Sequence, residues 1–206
     1  MENNREPIQQ LTEIRDLMER SSRFISLSGL SGIAAGVIAL AGSAIAFFFL
    51  GFDQRYFTVQ SYNEITAGLK TCHSWWFLVM DALVALVLAI LSGIYFTAQR
   101  SRKGLKVWDN TARRLVINLT IPLGAGGIFC LVLLHHQMYL LLAPVTLMFY
   151  GLSLINASKY TVHEIRILGM SVIVLGLLAS WLPGYGLLFW AAGFGLGHVV
   201  YGVVMY

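Results

Sequence analysis

One acidic side chain stands well inside an apolar stretch of this sequence and is the first candidate for chemistry. Asp81 lies about 9 Å from the outer end of a predicted membrane helix, at about 1.5 Å per residue. A carboxylate costs about 2.5–3.5 kcal/mol at the centre of an inserting helix, so Asp81 needs a partner or water. Helical spacing places Ala85, Ser92, Tyr95 and Gln99 on its face. Such a polar stripe is typical of a proton or substrate path, and equally of a hydrogen-bonding seam between helices.

A histidine in the last apolar stretch is the second candidate. His198 falls on the small-residue face of its predicted helix, with Gly195 and Gly202, so it should point into the bundle. A buried imidazole can relay protons or bind a ligand, or it can stay neutral and hydrogen-bonded. Asn118 and Asn156 lie at a comparable predicted depth and are its candidate partners. The candidate intramembrane polar site therefore comprises Asp81, Ser92, Gln99, Asn118 and His198.

Three histidines should gather at the outer surface, where a metal site is one interpretation. His73, His135 and His136 fall at that depth together with Cys72. His135 and His136 are adjacent on a turn, so both cannot easily face one ion, and the sequence has no pair of histidines at metal-binding helical spacing. Interfacial hydrogen bonding is the preferred interpretation. We expect no metal, no cofactor and no catalytic set, because convergent donors at one depth are missing.

The composition indicates that a lipid bilayer surrounds these residues. Of 206 residues, 57% are hydrophobic and 12% are charged, with a mean hydropathy of +0.71, whereas a soluble domain carries about 25% charged residues. The net charge of +4 does not indicate nucleic-acid binding, because the basic residues flank apolar stretches. The first 23 residues are polar, so we expect no cleavable signal peptide.

The apolar stretches predict an all-α, polytopic membrane protein with six transmembrane helices. Each is close to the roughly 20 residues that cross the hydrocarbon region. Residues 1–23 carry an amphipathic pattern and predict a cytoplasmic helix on the membrane surface, ahead of a six-helix domain over 24–206. Thr161 followed by Glu164 is a capping-box pattern for the start of the fifth helix. The six predicted spans are 25–51, 75–98, 115–134, 138–156, 164–182 and 186–205.

The positive charges predict the orientation of these helices. Of the 14 Lys and Arg residues, four lie in the N-terminal segment, six lie between the second and third spans, and two, Lys159 and Arg166, lie at the connection of the fourth span to the start of the fifth. With six spans, these three segments face one side, which the positive-inside rule assigns to the cytoplasm together with both termini. The basic 99–114 loop is a candidate site for anionic lipid headgroups or a protein partner, although setting the topology explains it equally well.

Small residues recur on single faces of the predicted helices, as expected where membrane helices pack closely. In the first span these are Ser28, Gly32, Gly36, Ala39, Ser43 and Ala46. We also interpret the glycines of the third span as packing residues, and we expect a bend at its proline because that residue cannot donate a helical hydrogen bond. The third-span residues are Pro122, Gly124, Gly126 and Gly127.

Four short runs carry a resemblance to a known group of proteins. They are SLSGLSGIAAG (26–36), GGIFCL (126–131), INASKYT (155–161) and GYGLLFWAAGFG (184–195). With them the chain resembles an uncharacterised group of small six-span bacterial inner-membrane proteins, which implies a bacterial inner membrane and no particular activity.

Three functions are compatible with this sequence. The first is a non-enzymatic helix bundle that binds a partner, a lipid or a small hydrophobic ligand. The second is a small transporter or channel-like protein that uses the Asp81–Gln99 stripe. The third is a membrane-embedded enzyme acting on a lipid or isoprenoid substrate. A cavity that connects Asp81 to one surface would favour transport, and histidines that converge with a carboxylate would favour the enzyme.

Overall fold

The computed structural model describes residues 29–49, 74–102, 110–182 and 184–206, and all six predicted spans are helices. The predicted N-terminal amphipathic helix lies outside the described residues. No strand occurs in the described part of the chain, and six helices are long and apolar enough to cross a membrane, which confirms the all-α, six-span fold class. The helices are α1 (Gly29–Phe49), α2 (Ser74–Arg102), α3 (Asn110–His135), α4 (Leu142–Ala157), α5 (His163–Trp181) and α6 (Gly186–Val204).

Two short connections join successive helices. Between α3 and α4, the N–H of Met138 donates to the carbonyl of Leu133, and Gln137 takes a left-handed φ of 61°. Between α5 and α6, Gly184 has a φ of 100°, a conformation that glycine adopts without a steric penalty. Both pairs are therefore antiparallel hairpins with short turns.

Four helices form the packed centre of the protein, and two lie outside it. α1 packs against α6, α4 packs against α5, and α6 also contacts α4 and α5. α2 lies mainly on α1, and α3 lies mainly on α4. The buried apolar core is accordingly shared by α4, α5 and α6, and consists of Leu147, Leu154, Ile165, Leu168, Val172, Ala179 and Tyr201.

Glycines set the spacing between the central helices. A β-carbon added at Gly36 would lie 2.7 Å from the carbonyl oxygen of Gly195, so α1 and α6 are in backbone contact. Gly151 and Gly169 bring α4 and α5 together in the same way, at 2.6 Å between a β-carbon on Gly151 and the carbonyl oxygen of Gly169. The predicted packing face of α1 is confirmed for its described residues, since Gly32, Gly36, Ala39, Ser43 and Ala46 are all buried, while Ser28 lies outside the described residues.

Two expectations about these helices are wrong. Thr161 is not the N-cap of α5: the helix begins at His163, and its N-cap is Val162, which makes no side-chain capping bond. A 3-10 turn over Ser158–Tyr160 precedes this start, and Thr161 is buried. In α3, Gly126 packs against Phe149, but Gly124 and Gly127 have nothing within 4 Å of an added β-carbon. These two glycines do not pack against another described helix.

Candidate functional site

A buried tyrosine–histidine pair joins α4 to α6. The Tyr150 Oη lies 2.5 Å from Nε2 of His198, and Nδ1 of His198 lies 3.3 Å from the carbonyl oxygen of Gly193. Because the Gly193 carbonyl can only accept, Nδ1 donates to it and Nε2 accepts from the Tyr150 hydroxyl. His198 is 8% exposed. The expectation that His198 is buried in the bundle with a hydrogen-bond partner is confirmed.

An unusual stretch of α6 positions this imidazole. Residues Ala191–Leu196 form a π-helix, and the N–H of Gly197 donates to the carbonyl of Ala192, five residues earlier. The glycines at 193, 195 and 197 lower the preference for a regular α-helix. The His198 ring reaches back over this wide turn to the Gly193 carbonyl. Within a bilayer every backbone polar group needs a partner in the protein, so His198 stabilises the π-helical segment.

Aromatic rings surround the pair. Ring centroids are 4.8 Å apart for Trp190 and Phe194, 4.9 Å for Phe194 and Tyr150, and 5.4 Å for Tyr150 and His198. Tyr201 follows His198 by three residues and therefore lies on the same side of α6. Its hydroxyl is buried and has no hydrogen-bond partner among the described residues. These residues could either join two helices or carry a proton on a ring nitrogen. The hydrogen bond between Tyr150 and His198 supports the first role, because it links α4 to α6.

Asn118 and Asn156, the predicted partners of His198, form hydrogen bonds with each other instead. Asn156 Nδ2 donates to the backbone carbonyl of Asn118 at 2.8 Å and to its Oδ1 at 3.2 Å, so the two residues join α3 to α4. Asn118 Nδ2 donates to the carbonyl of Arg114 at 2.8 Å. The partnership with His198 is wrong because α3 lies on the outside of α4, whereas His198 lies between α4 and α6.

The polar stripe of α2 divides into an inner and an outer part. A β-carbon added at Gly42 of α1 would lie 3.3 Å from Asp81 Oδ2 and 3.6 Å from the β-carbon of Ala85, so both side chains face α1. Asp81 therefore faces α1, and its side chain is half-buried. Ser92 donates to the carbonyl of Ala89 in its own helix at 2.8 Å, and Gln99 is exposed. The stripe is therefore not one continuous surface inside the protein.

The structure does not bring the five predicted site residues together. Asp81 lies against α1, Asn118 against α4, and His198 against Tyr150. His135 and His136 are exposed at the α3–α4 turn, with ring centroids 5.2 Å apart, while Cys72 and His73 lie outside the described residues. No group of three or more metal-binding side chains occurs within the described ranges.

Tyr150 and Tyr201 were not among the site residues predicted from the sequence. A signal for Tyr150 existed: Tyr150 and His198 each lie about 10 Å from the same end of the bundle, at about 1.5 Å per residue from the last residues of α4 and α6. A tyrosine hydroxyl inside a span also needs a polar partner.

No family model, no curated protein and no solved structure matches the chain.

Proposed function

We propose that the chain is a non-enzymatic helix bundle that binds a transmembrane partner protein along one face of α3. Gly124 and Gly127 carry this proposal, because they recur three residues apart on one side of α3 and both have open space around them among the described residues, whereas Gly93 of α2 is open but single. A glycine inside a helix costs about 1 kcal/mol relative to alanine. In a membrane that cost is offset where the glycine lets another helix approach closely. Gly126 makes such a contact with Phe149, whereas Gly124 and Gly127 lie on a different side of α3.

The residues on this side of α3 indicate the shape and charge of a helix that would fit against it. They form the open face, which consists of Arg113, Thr120, Gly124, Gly127 and Leu131, and all five are exposed. Its small centre accepts a helix backbone, and Arg113 places a positive charge at one end. In a symmetric pair of parallel α3 helices the two Arg113 side chains would meet, which disfavours a second copy. The open face is complementary to a helix with small residues and an acidic residue at the same end.

A binding site outside the bundle fits this packing better than one within it. Backbone contacts through Gly36 and Gly151 bring the central helices close together. A hydrophobic ligand between α1 and α6, or between α4 and α5, would have to separate backbones already in contact. The wide apolar surfaces of α2 and α3 require no such rearrangement.

Photo-crosslinking in native membranes tests this proposal. Benzoylphenylalanine at Leu131, which is 65% exposed on the open face, should give one adduct of defined mass. The matched control is Val200 on α6, which is 61% exposed and should give none. Gly124→Leu and Arg113→Glu, each combined with the Leu131 probe, should abolish the adduct. An adduct of two copies of this chain, an adduct insensitive to both changes, or labelled lipid alone would each contradict the proposal.

We also propose that the protein lies in a bacterial inner membrane with both termini in the cytoplasm. The distribution of the basic residues supports this orientation. In a variant without Cys72 and Cys130, single cysteines at Lys103 and Tyr206 should react with an impermeant maleimide only after the membrane is opened. A cysteine at Glu64 should react in intact cells. Labelling at Lys103 from the outside would overturn the orientation.

A second candidate function, a small transporter, rests on the position of Asp81. Its carboxylate faces the seam between α1 and α2 rather than the lipid side of α2. Carboxylates inside membranes often mark proton or ion paths. The seam is not a continuous polar path, because Gln99 is exposed and Ser92 bonds to its own helix. Partner binding therefore ranks ahead of transport.

Substitution of Asp81 separates the two candidates. Asp81→Asn should leave the melting temperature unchanged, because the amide has the same shape and can still form hydrogen bonds. Asp81→Leu should lower the melting temperature, because the larger leucine side chain would crowd the backbone at Gly42. If the protein moves protons or cations, Asp81→Asn should also abolish the flux into proteoliposomes measured with a pH-sensitive dye. Equal flux and equal growth for both variants and the wild type would remove the main support for transport.

A further inference from the structure

A network of neutral amides holds a lysine at the seam between α3 and α4. Lys159 Nζ lies 3.4 Å from Asn156 Oδ1, and the amide nitrogen of Asn156 donates to Asn118. Asn118 in turn donates to the carbonyl of Arg114. The turn that contains Lys159 packs against α3. The network therefore places the Lys159 ammonium and the Arg114 turn at the same end of one seam.

The charge around this seam is strongly positive. Residues 110–166 contain four cations, Arg113, Arg114, Lys159 and Arg166, and a single carboxylate, Glu164 at the start of α5. Arg114 and Lys159 are both exposed. Arg114 precedes Asn118 by four residues and so lies on the seam side of α3, whereas Arg113 belongs to the open face. The seam thus presents an ammonium and a guanidinium whose charges the neutral asparagines do not compensate.

We propose that Lys159 and Arg114 bind the phosphodiester of an anionic membrane lipid, with Asn118 and Asn156 as positioning residues. Phosphate oxygens accept hydrogen bonds from an ammonium and from a planar guanidinium. Leu152 precedes Asn156 by four residues on α4 and is 45% exposed, so an apolar surface continues from the charged end toward the bilayer centre. That surface suits an acyl chain, which a soluble phosphate lacks. Basic seams between helices on the cytoplasmic side are suited to lipid headgroups.

Native mass spectrometry of the full chain in detergent tests the site with phosphatidylglycerol and phosphatidylcholine of equal acyl chains. The wild type should retain phosphatidylglycerol preferentially. Arg114→Gln/Lys159→Gln should weaken that binding about 30-fold, because each basic residue removed should weaken it about fivefold. The control, Arg113→Gln/Arg166→Gln, removes the same charge on the open face and on α5, and should retain most of the binding.

Two further measurements distinguish a built site from general positive charge. Asn156→Ala keeps every cation and should still reduce the preference for phosphatidylglycerol, provided that its melting curve shows a folded protein. Glycerol 1-phosphate at millimolar concentration should not displace the lipid. Equal weakening by both double variants would overturn the site, and displacement by glycerol 1-phosphate would overturn the lipid as its ligand. Neither outcome involves the open face of α3, so the partner proposal is tested independently.

Discussion

Replacing Gly36 with alanine should destabilise the bundle, and replacing it with leucine should prevent α1 and α6 from packing together. A β-carbon at Gly36 would lie 2.7 Å from the carbonyl oxygen of Gly195 and 2.7 Å from the backbone nitrogen of Val199. Both atoms belong to the backbone, so the helices must move apart rather than a side chain turn away. Overpacking of this kind costs about 1–3 kcal/mol, which exceeds the gain of about 1 kcal/mol from replacing glycine in a helix.

The matched control for this prediction is Gly93→Ala in α2. No described residue lies within 4 Å of a β-carbon at Gly93, so this change should raise the free energy of unfolding by up to about 1 kcal/mol. Unfolding in mixed detergent micelles at rising denaturing-detergent content measures both variants. The two substitutions should therefore have effects of opposite sign. A Gly36→Ala variant as stable as Gly93→Ala would show that backbone contact between α1 and α6 does not hold the bundle together.

The glycines show how much of the helix packing could be predicted from the sequence. The six spans and the two tight hairpins follow from apolar length and turn residues, and the structure has them. The α1 face was also predictable, because five small residues recur at helical spacing and all are buried. Gly124 and Gly127 carry the same signal and yet have open surroundings. Spacing shows that a helix can approach closely, but it does not show which helix does so.

The candidate polar site was only partly predictable for a related reason. The burial of His198 and the inward direction of Asp81 follow from the cost of exposing polar groups to lipid. The hydrogen-bond partner of each polar residue depends on which helices are neighbours, and the spacing of residues within each helix does not show this arrangement. Asn118 had a suitable depth, but α3 lies outside α4, so Asn156 is its partner and Tyr150 is the partner of His198. The π-helical segment that turns His198 toward Gly193 had no signal beyond its glycines.

Removing either member of the Tyr150–His198 pair should lower stability in detergent. His198→Leu removes the hydrogen bonds of the imidazole to the Tyr150 hydroxyl and to the Gly193 carbonyl. Tyr150→Phe removes only the bond to Nε2 of His198. Each loss should cost about 1–2 kcal/mol, in the range found for buried hydrogen bonds between membrane helices. The double variant should cost less than the sum of the single variants, because both remove the same bond.

Tyr201→Phe provides a control with the same chemical change one turn along α6. The Tyr201 hydroxyl is buried without a partner among the described residues, so its removal should leave the free energy of unfolding unchanged or raise it. Tyr150→Phe should therefore be the less stable of the two variants in the same thermal unfolding assay, although each deletes one hydroxyl oxygen. A destabilised Tyr201→Phe beside a neutral Tyr150→Phe would show that the bond between Tyr150 and His198 does not hold α4 to α6, and that the Tyr201 hydroxyl does.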